Sequence, residues 1–465
     1  MQKPPPFHQR VLHNDAPGGE PARIQATIPS ITSPGQPFEL KIAVLDEMGY
    51  PSIKCDAGIT VSIPGQSDLH IEDAFKPGEP AVGGINDLQM QKSGCFRLQL
   101  QVGNLNAYSN PTLCTDDDIA DIYWGDPHVH TNLSDCHPEK CRSLNFAFTC
   151  ARFVTGLDWM GAADHVSGGR CDFSKWEEQK AVAEHHNAED TFVTLPAYEA
   201  SFPSGSGGDN NVYMDRFPET YVDHCGEGTI KSLCEELEDT MDEGDFFVVP
   251  HHTTRANKHG EISDDIYPGP RRMPLLEIHS KWGTSEYRGN PNALHNVHPG
   301  PSFAQDFLNR DMILGFIAGT DTHATMPSGG GYEPGHIDRK PGLTAVQSHA
   351  LTREKIFSNM KNRHCYATSG ERILLHGTIR GADFGQVVPP EDATSTPDID
   401  VLIAARSNIS RIDLIRDGER IHSNHPDDWK SRFSYTDNHD APAYYYIRVT
   451  CSSGAQAWSS PVWIK

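Results

Sequence analysis

The stretch that decides the fold is DIYWGDPHVHT, residues 121–131, in which a short apolar run leads into two histidines separated by one residue. Five later apolar runs also lead into histidine or acidic residues: LDWMGAADH (157–165), TFVTLPAYEAS (191–201), DFFVVPHHT (245–253), PLLEIHS (274–280) and MILGFIAGTDTH (312–323). Helix-like segments such as SLNFAFTCARFVTG (143–156) and KSLCEELEDTM (231–241) separate several of these runs. Strands that alternate with helices predict parallel pairing through crossover helices, in a barrel or an open sheet.

On both sides of this region the pattern changes to short β-like runs between Gly, Pro and Asn turns. Examples are ARIQATI (22–28), PFELKIAVL (37–45), CFRLQLQV (95–102), DIDVLIAA (398–405) and YYYIRVTC (444–451). Such runs are typical of antiparallel sandwiches. The sequence therefore predicts an N-terminal β-sandwich-like domain over 1–118, an α/β domain over 119–370 and a C-terminal β-rich domain over 371–465.

Composition limits the classes of partner. The 465-residue chain carries a formal charge of −24 and has 37% hydrophobic residues, with 40 glycines and 34 prolines, which is typical of a globular protein rich in turns. The negative charge argues against nucleic acid and leaves a small-molecule substrate, anionic if a local basic pocket exists. No window approaches the ~18 apolar residues of a membrane span. The start lacks a secretory signal pattern, so no membrane and a cytoplasmic location are expected by default. The oligomeric state is left open.

The cysteines form no regular framework. There are 11 of them, and a chain of this size folds without disulfides, so reduced thiols are the simplest interpretation. Cys136 and Cys141 form a C-x4-C pair close to the first histidine motif. That spacing alone is weak evidence for a metal site or a bridge, and unpaired thiols remain the favoured interpretation.

Histidine and carboxylate residues at the predicted strand ends form a candidate metal site. His128 and His130 are two residues apart on a strand and therefore face the same side, and Asp321 and His323 repeat that spacing. In parallel α/β folds the carboxyl ends of strands converge on one face. Burying so many ionisable groups without a cation is costly. The set indicates two or three divalent ions of Zn, Mn or Fe, because it exceeds the ligands of one tetrahedral zinc.

The motifs GDPHVHTNLSD, GAADH, LPAYE, VVPHH, LLEIHS and GTDTH, in this order, resemble those of the PHP (polymerase and histidinol phosphatase) superfamily. YWGDPHVHT, ATSGERILL and IDLIRDGE more closely resemble a PHP-like bacterial family of unassigned function. The resemblance implies a distorted (β/α)7 PHP-type barrel with a di- or trinuclear metal centre, flanked by the two β-rich domains. Pro127 and Cys136 depart from the family pattern, in which an apolar residue and a glycine are common.

The resemblance assigns nine metal ligands in three groups: His128, His130, Glu199 and Asp321 for one ion; the bridging Glu199 with His251 and His279 for a second; and Asp135, His165 and His323 for a third. Four further residues are candidates for roles in catalysis. His252 is a candidate for substrate contact or proton transfer, and Asp164 for orienting a ligand histidine. Arg255 and Lys281 are candidates for clamping an anionic substrate group.

The predicted function is a metal-dependent hydrolase that activates water, with a phosphoester or organophosphorus compound as substrate. The phosphate class comes from the resemblance. One alternative keeps the metals and changes the bond to a carboxyl ester, lactone, amide or carbon–heteroatom bond. A second alternative is a non-catalytic, metal-stabilised binding module.

Overall fold

The computed structural model of this chain is dominated by β-structure, with 40% strand and 13% helix. It describes residues 7–9, 17–134, 136–137, 140–166, 172–222, 228–242, 244–256, 262–294, 296–329, 340–393 and 398–465. None of the helices within these ranges is both long enough and apolar enough to cross a membrane.

The N-terminal region consists of small sheets that pack around a common core. Its strands within the described residues are β1 Phe7–Gln9, β2 Arg23–Thr27, β3 Ile31–Thr32, β4 Phe38–Leu45, β5 Ile59–Ser62, β6 Leu69–Ile71, β7 Val82–Leu88, β8 Gly94–Phe96, β9 Gln99–Val102, β10 Leu105–Tyr108 and β11 Thr112–Cys114. They pair in the orders β1-β7-β4-β2, β10-β9-β5-β6 and β3-β11-β8. In β5, Ile59 and Val61 are buried while Thr60 and Ser62 are partly exposed. This alternation places the apolar side chains in the core between the sheets.

The central region contains all five α-helices of the described residues. Its elements in chain order are β12 Asp121–Val129, α1 Leu144–Thr149, β13 Trp159–Ala162, α2 Phe173–His186, β14 Val193–Leu195, β15 Ala197–Ser201, β16 Asp209–Met214, α3 Ile230–Glu238, β17 Phe246–Pro250, β18 Leu275–Ser280, β19 Gly283–Thr284, α4 Ala304–Leu308, β20 Gly315–Ala318, β21 Leu343–Ser348, α5 Arg353–Lys361 and β22 Cys365–Thr368. Helix α2 begins after Asp172, whose carboxylate accepts the backbone N–H of Lys175.

The predicted (β/α)7 barrel is wrong. Parallel pairing joins β12 to β13, β13 to β14, and β18 to β20. However, β15, β16 and β17 form an antiparallel sheet, and β21 pairs antiparallel with both β12 and β22. Among the described residues no ring of seven alternating strands and helices is evident. Antiparallel neighbours do not need helical crossovers, so the region has fewer helices than a β/α barrel requires.

The C-terminal strands extend the central sheet. They are β23 Leu374–Ile379, β24 Val387–Val388, β25 Ile399–Arg416, β26 Glu419–Asn424, β27 Asp428–Tyr435, β28 Ala443–Cys451, β29 Gln456–Ser459 and β30 Val462–Ile464. Tyr366 of β22 lies opposite Ser459 of β29, in an antiparallel pair. Strand pairing therefore crosses the predicted boundary between residues 370 and 371, within one 13-stranded sheet.

A buried ionic network also joins the C-terminal strands to the central region. Arg448 Nη1 donates to Glu286 Oε1 at 2.8 Å, and Arg448 Nη2 donates to Asp413 Oδ2 at 2.8 Å. Glu286 also accepts from the Tyr446 hydroxyl at 2.7 Å and from Trp458 Nε1 at 2.8 Å. Each charge in this network faces an opposite charge or a hydrogen-bond donor.

Candidate metal centre

The candidate metal centre forms where several strands end. Val129, the last residue of β12, bridges in parallel to Thr322, which follows β20. His165, which follows β13, bridges in parallel to Glu199 of β15. These pairings bring residues that are far apart in the chain to the end of β12, next to His130. The convergence of strand ends predicted from the sequence is thus present without the predicted barrel.

Hydrogen bonds at Nδ1 orient His128 and His130 so that Nε2 of each ring faces the centre. Nδ1–H of His128 donates to Glu277 Oε2 at 2.9 Å. The Ser134 hydroxyl donates to Asp164 Oδ1 at 2.7 Å, so it accepts from His130 Nδ1–H at 3.1 Å. Burial lowers the pKa of His130 to about 4. The two Nε2 atoms lie 3.2 Å apart, and the pair needs a proton or a cation between these lone pairs.

The carboxylates of Glu199 and Asp321 lie among the imidazoles. Glu199 Oε2 is 3.3 Å from His130 Nε2 and 3.4 Å from His165 Nδ1, and Glu199 Oε1 is 3.4 Å from His251 Nε2. Asp321 Oδ1 is 3.0 Å from His130 Nε2. Within the described part of the chain, Glu199 Oε2 is buried and has no hydrogen-bond partner. A buried anionic oxygen in this position is accounted for by a bound cation.

Neighbouring charges keep both carboxylates ionised. Burial alone raises the pKa of Glu199, but His165 and His251 outweigh it and hold that pKa well below its usual range. Burial opposes ionisation of Asp321 in the same way, but the charges of His128 and His252 and the hydrogen bonds from His130 and His252 together outweigh it, so the pKa of Asp321 is also well below its usual range. Burial opposes the charged form of His128, yet the nearby carboxylates raise its pKa well above the usual value. Without metal, a proton on His128 therefore takes the place of the cation.

Four groups of side chains place one donor atom each within 4.8 Å of one another: His128, His251 and Glu277; His128, His130 and Asp321; His251, His252 and Asp321; and His130, Cys136, His165 and His323. Their donors are imidazole nitrogens, carboxylate oxygens and one thiol sulfur. This set suits Zn, Mn or Fe. The residues present therefore fit a divalent metal centre.

Two residues of the centre have a strained backbone. His252 and Asp321 adopt φ values of 51° and 52°, in the left-handed region that non-glycine residues rarely occupy. His252 Nε2 lies 2.7 Å from Asp321 Oδ2. Strain of this kind clusters at functional sites, where the surrounding structure maintains it.

Seven of the nine predicted metal ligands lie together in this centre: His128, His130, His165, Glu199, His251, Asp321 and His323. Asp135 lies outside the described residues. His279 is engaged elsewhere, because its Nε2 donates to the Lys340 carbonyl at 2.7 Å and its Nδ1 lies 2.8 Å from Thr284 Oγ1. It is absent from the four donor groups found among the described residues.

The candidates for catalysis surround the centre. Asp164 orients His130 through Ser134, as described above, and it does not reach the donor groups itself. Lys281 Nζ lies 3.0 Å from His323 Nδ1. The Arg255 guanidinium and the Lys281 ammonium each lie 4.9 Å from a Trp282 ring centroid. The charged groups of Arg255 and Lys281 thus both lie next to Trp282, beside the centre.

Two buried carboxylates were missed by the sequence analysis. Glu277 lies two residues before His279 on β18 and bonds to His128. Asp126 lies two residues before His128 and accepts the backbone N–H groups of His128 and Thr320, and burial raises its pKa to about 6. The two-residue spacing from a predicted ligand was a signal that could have identified both.

Comparisons with known proteins give relatives without an assigned function. A family profile described as Protein of unknown function (DUF3604) matches residues 330–387. An uncharacterized protein of Chlamydia pneumoniae is 26% identical over 417 residues, which cover 82% of this chain and 63% of the relative. An uncharacterized protein of Chlamydia muridarum is 30% identical over 410 residues, with the same two coverages. The chain thus spans 63% of the length of these curated relatives.

Solved structures resemble the chain only weakly. A β-glucuronidase of Bacteroides uniformis covers 95% of this chain and is covered over 61% of its own length, with 9% identity and a TM-score of 0.21. A carbohydrate acetylesterase of Xanthomonas citri covers 94% of this chain and is covered over 98% of its own length, with 10% identity and a TM-score of 0.17. Scores this low do not indicate a shared fold.

Proposed function

We propose that this protein is a metal-dependent hydrolase with two or three divalent ions of Zn, Mn or Fe. The observation that carries the proposal is the pair Glu199 and Asp321, two ionised carboxylates buried among imidazole nitrogens, with Glu199 Oε2 lacking a hydrogen bond. A purely structural ion network would leave no buried carboxylate oxygen without a hydrogen-bond partner. The order of the motifs supports the same conclusion, because it resembles that of the PHP superfamily.

The protein's own groups position the ligands and handle protons. Divalent ions would supply Lewis acidity, which polarises a substrate oxygen and makes water more acidic. The Asp164–Ser134–His130 and Glu277–His128 hydrogen bonds keep both histidines oriented with Nε2 towards the centre. His252, 2.7 Å from Asp321 Oδ2, is placed to hold a proton next to the reacting groups.

We propose an anionic substrate, with phosphoesters or organophosphorus compounds as the first class to test. Lys281 and Arg255 support this choice, because both cations lie at Trp282 on one side of the centre. Trp282 in turn donates its indole N–H to Asp321. A substrate oxyanion next to the Lys281 ammonium would therefore lie within reach of the carboxylate cluster.

Metal content and turnover test the proposal together. Protein purified without added metal or chelator is analysed by plasma mass spectrometry and assayed with phosphomonoesters, diesters and triesters. We expect two or three equivalents of metal and turnover of at least one class. Both should be lost in His128→Gln and retained in His185→Gln, a matched control on the exposed face of α2. Less than half an equivalent that reloading does not raise would overturn the metal centre.

The alternatives predict different results of the same assays. Turnover of carboxyl esters, lactones or amides in place of phosphoesters would support a metal-dependent hydrolase that cleaves a different type of bond. Metal binding without turnover of any class would leave a metal-stabilised binding module.

We also propose a cytoplasmic location, since the nine cysteines that the structure describes are all free. Cell fractionation tests this location.

A further inference from the structure

One donor group of the centre contains a thiol. Cys136 Sγ and ring nitrogens of His130, His165 and His323 all lie within 4.8 Å of one another. Nε2 of His130 is 3.0 Å from Asp321 Oδ1, so this histidine faces the carboxylates. A second candidate position for an ion, at the edge of the centre, is formed by the other members of this group: Cys136, His165 and His323.

His165 at this second position has a ring nitrogen that a cation would satisfy. Nδ1 of His165 is buried and has no hydrogen-bond partner within the part of the chain that the structure describes. Glu199 Oε2 is 3.4 Å from this nitrogen and also lacks a hydrogen bond among the described residues. The His323 ring stacks on His130, with centroids 4.2 Å apart, and its side chain bonds to Cys136. Leaving such buried polar atoms unsatisfied is costly, whereas coordination would satisfy them.

The two cysteines of the C-x4-C pair have different surroundings. Cys141 donates its S–H to the His323 carbonyl oxygen at 3.2 Å, and its side chain is also in hydrogen-bond contact with Cys136. It belongs to none of the donor groups found among the described residues. Cys136, by contrast, has its sulfur among the imidazoles. Only one cysteine of the pair is therefore placed to act as a ligand.

We propose that Cys136 is a metal ligand that, with His165 and His323, holds a zinc-class ion apart from the carboxylate-bound ion. A thiolate is a soft ligand that favours Zn²⁺ over Mg²⁺, Ca²⁺ or Mn²⁺. Binding replaces the S–H bond by a sulfur–metal bond and releases the thiol proton to water. The three ligands among the described residues would leave a fourth tetrahedral position for a further ligand. The proposal rests on the metal centre of the proposed function and adds a ligand that the motifs did not supply.

Cobalt substitution tests this proposal without an activity assay. The metal-free full chain, kept reduced with a phosphine, is titrated with Co²⁺ and followed by absorption and by plasma mass spectrometry. We expect a thiolate-to-cobalt charge-transfer band in the near ultraviolet, together with visible d–d bands. Cys136→Ser should lose the charge-transfer band and bind about one equivalent less cobalt, while keeping the d–d bands of the other position. Cys141→Ser is the matched control and should keep both features.

The outcomes separate this proposal from the proposed function. Cobalt bound with d–d bands but without a charge-transfer band in the wild-type protein overturns the Cys136 ligand and leaves the carboxylate centre intact. Loss of the band in Cys141→Ser, with retention in Cys136→Ser, also overturns it. Failure to bind cobalt at all overturns both proposals. A Cys136→Asp variant guards against misfolding of Cys136→Ser, because it should restore the bound equivalent without the charge-transfer band.

Discussion

Two buried clusters of charged groups in this protein differ in how their charges are matched. In the network of Arg448, Glu286 and Asp413, each carboxylate lies within 2.8 Å of a guanidinium nitrogen. In the candidate metal centre, by contrast, two imidazole Nε2 atoms face each other at 3.2 Å, and Glu199 Oε2 has no hydrogen bond among the described residues. Both clusters are buried, so burial alone does not distinguish them.

The difference separates a structural role from a functional one. A buried ion pair that is complete within the protein needs nothing further, and breaking it leaves a charge unpaired. A cluster of converging donor atoms is complete only when a proton or a cation lies between them. The first cluster should therefore control stability at any metal concentration, and the second should control stability only through its ions.

The largest effect on stability is expected from breaking the paired cluster. Arg448→Met removes the cation that faces Glu286 and Asp413 and should destabilise the fold by about 3–5 kcal/mol. Urea unfolding of metal-free protein measures this change. The exposed pair of Lys54 and Glu20 is the control, because Lys54→Ala should cost less than about 1 kcal/mol. An equally small effect of Arg448→Met would contradict the structural role.

The loss of each single metal ion should give the next largest effect. With free metal at 100 times its Kd, the loaded protein should be more stable than the chelated protein by about 2.7 kcal/mol per site. Glu199→Gln should lose most of this increment, because it removes the negative charge of a carboxylate proposed to bind the ions. Calorimetry with and without chelator measures this increment in stability. An unchanged increment in Glu199→Gln would show that Glu199 is not part of the metal site.

A smaller effect is expected from changing a residue that does not belong to a donor group but orients a proposed ligand histidine. Ser134→Ala removes the hydroxyl that links Asp164 to His130 and leaves His130 Nδ1 without this acceptor. We expect metal affinity to fall about 10–100-fold, as for other residues that orient a ligand histidine. Competition with a chromophoric chelator measures the affinity. Ser174→Ala, at the exposed start of α2, should leave it unchanged.

Near neutral pH, the smallest effect on stability is expected from a buried histidine outside both clusters. Nε2–H of His186 donates to Asn145 Oδ1 at 2.8 Å, and burial lowers the pKa of His186 to about 4. At pH values between about 4 and the unfolded value of 6.5, the unfolded chain binds a proton that the folded protein does not. Stability should therefore be complete above about 6.5 and fall as the pH drops towards 4.

Denaturant unfolding across this pH range tests the His186 effect. His186→Gln should lose that part of the pH dependence, whereas the exposed neighbour His185→Gln should keep it. The same pH profile in both variants and in the wild-type protein would exclude His186 as its source.

The sequence predicted more of the site than of the fold. The apolar runs ending in histidine or acid residues located the strands, and seven of the nine predicted ligands lie in one centre. Pairing direction was not predictable in the same way, because an apolar run gives the same signal in a parallel and in an antiparallel sheet. The β15–β16–β17 sheet, which contributes Glu199, was for this reason assigned to a barrel that does not exist.

Individual residues also show that local spacing does not determine which side chains reach the centre. His279 has the same local pattern as the true members of the centre, yet its nitrogens bond to Thr284 and Lys340. Glu277, two residues earlier, reaches His128 instead. Which side chain of a strand reaches a distant partner depends on the twist and position of that strand relative to its neighbours, which local spacing does not contain.

By itself, the sequence determined that this chain is globular and strongly acidic, where its apolar runs lie, and that histidines and carboxylates recur at their ends. These are local properties of composition and spacing. Tertiary structure alone decided that strands beyond residue 370 continue the central sheet, that Cys136 lies among three histidines, and that Arg448 pairs with Glu286. These are contacts between distant segments. They depend on how the sheets pair and pack, because burial makes the cost of every unmatched charge depend on its neighbours in space.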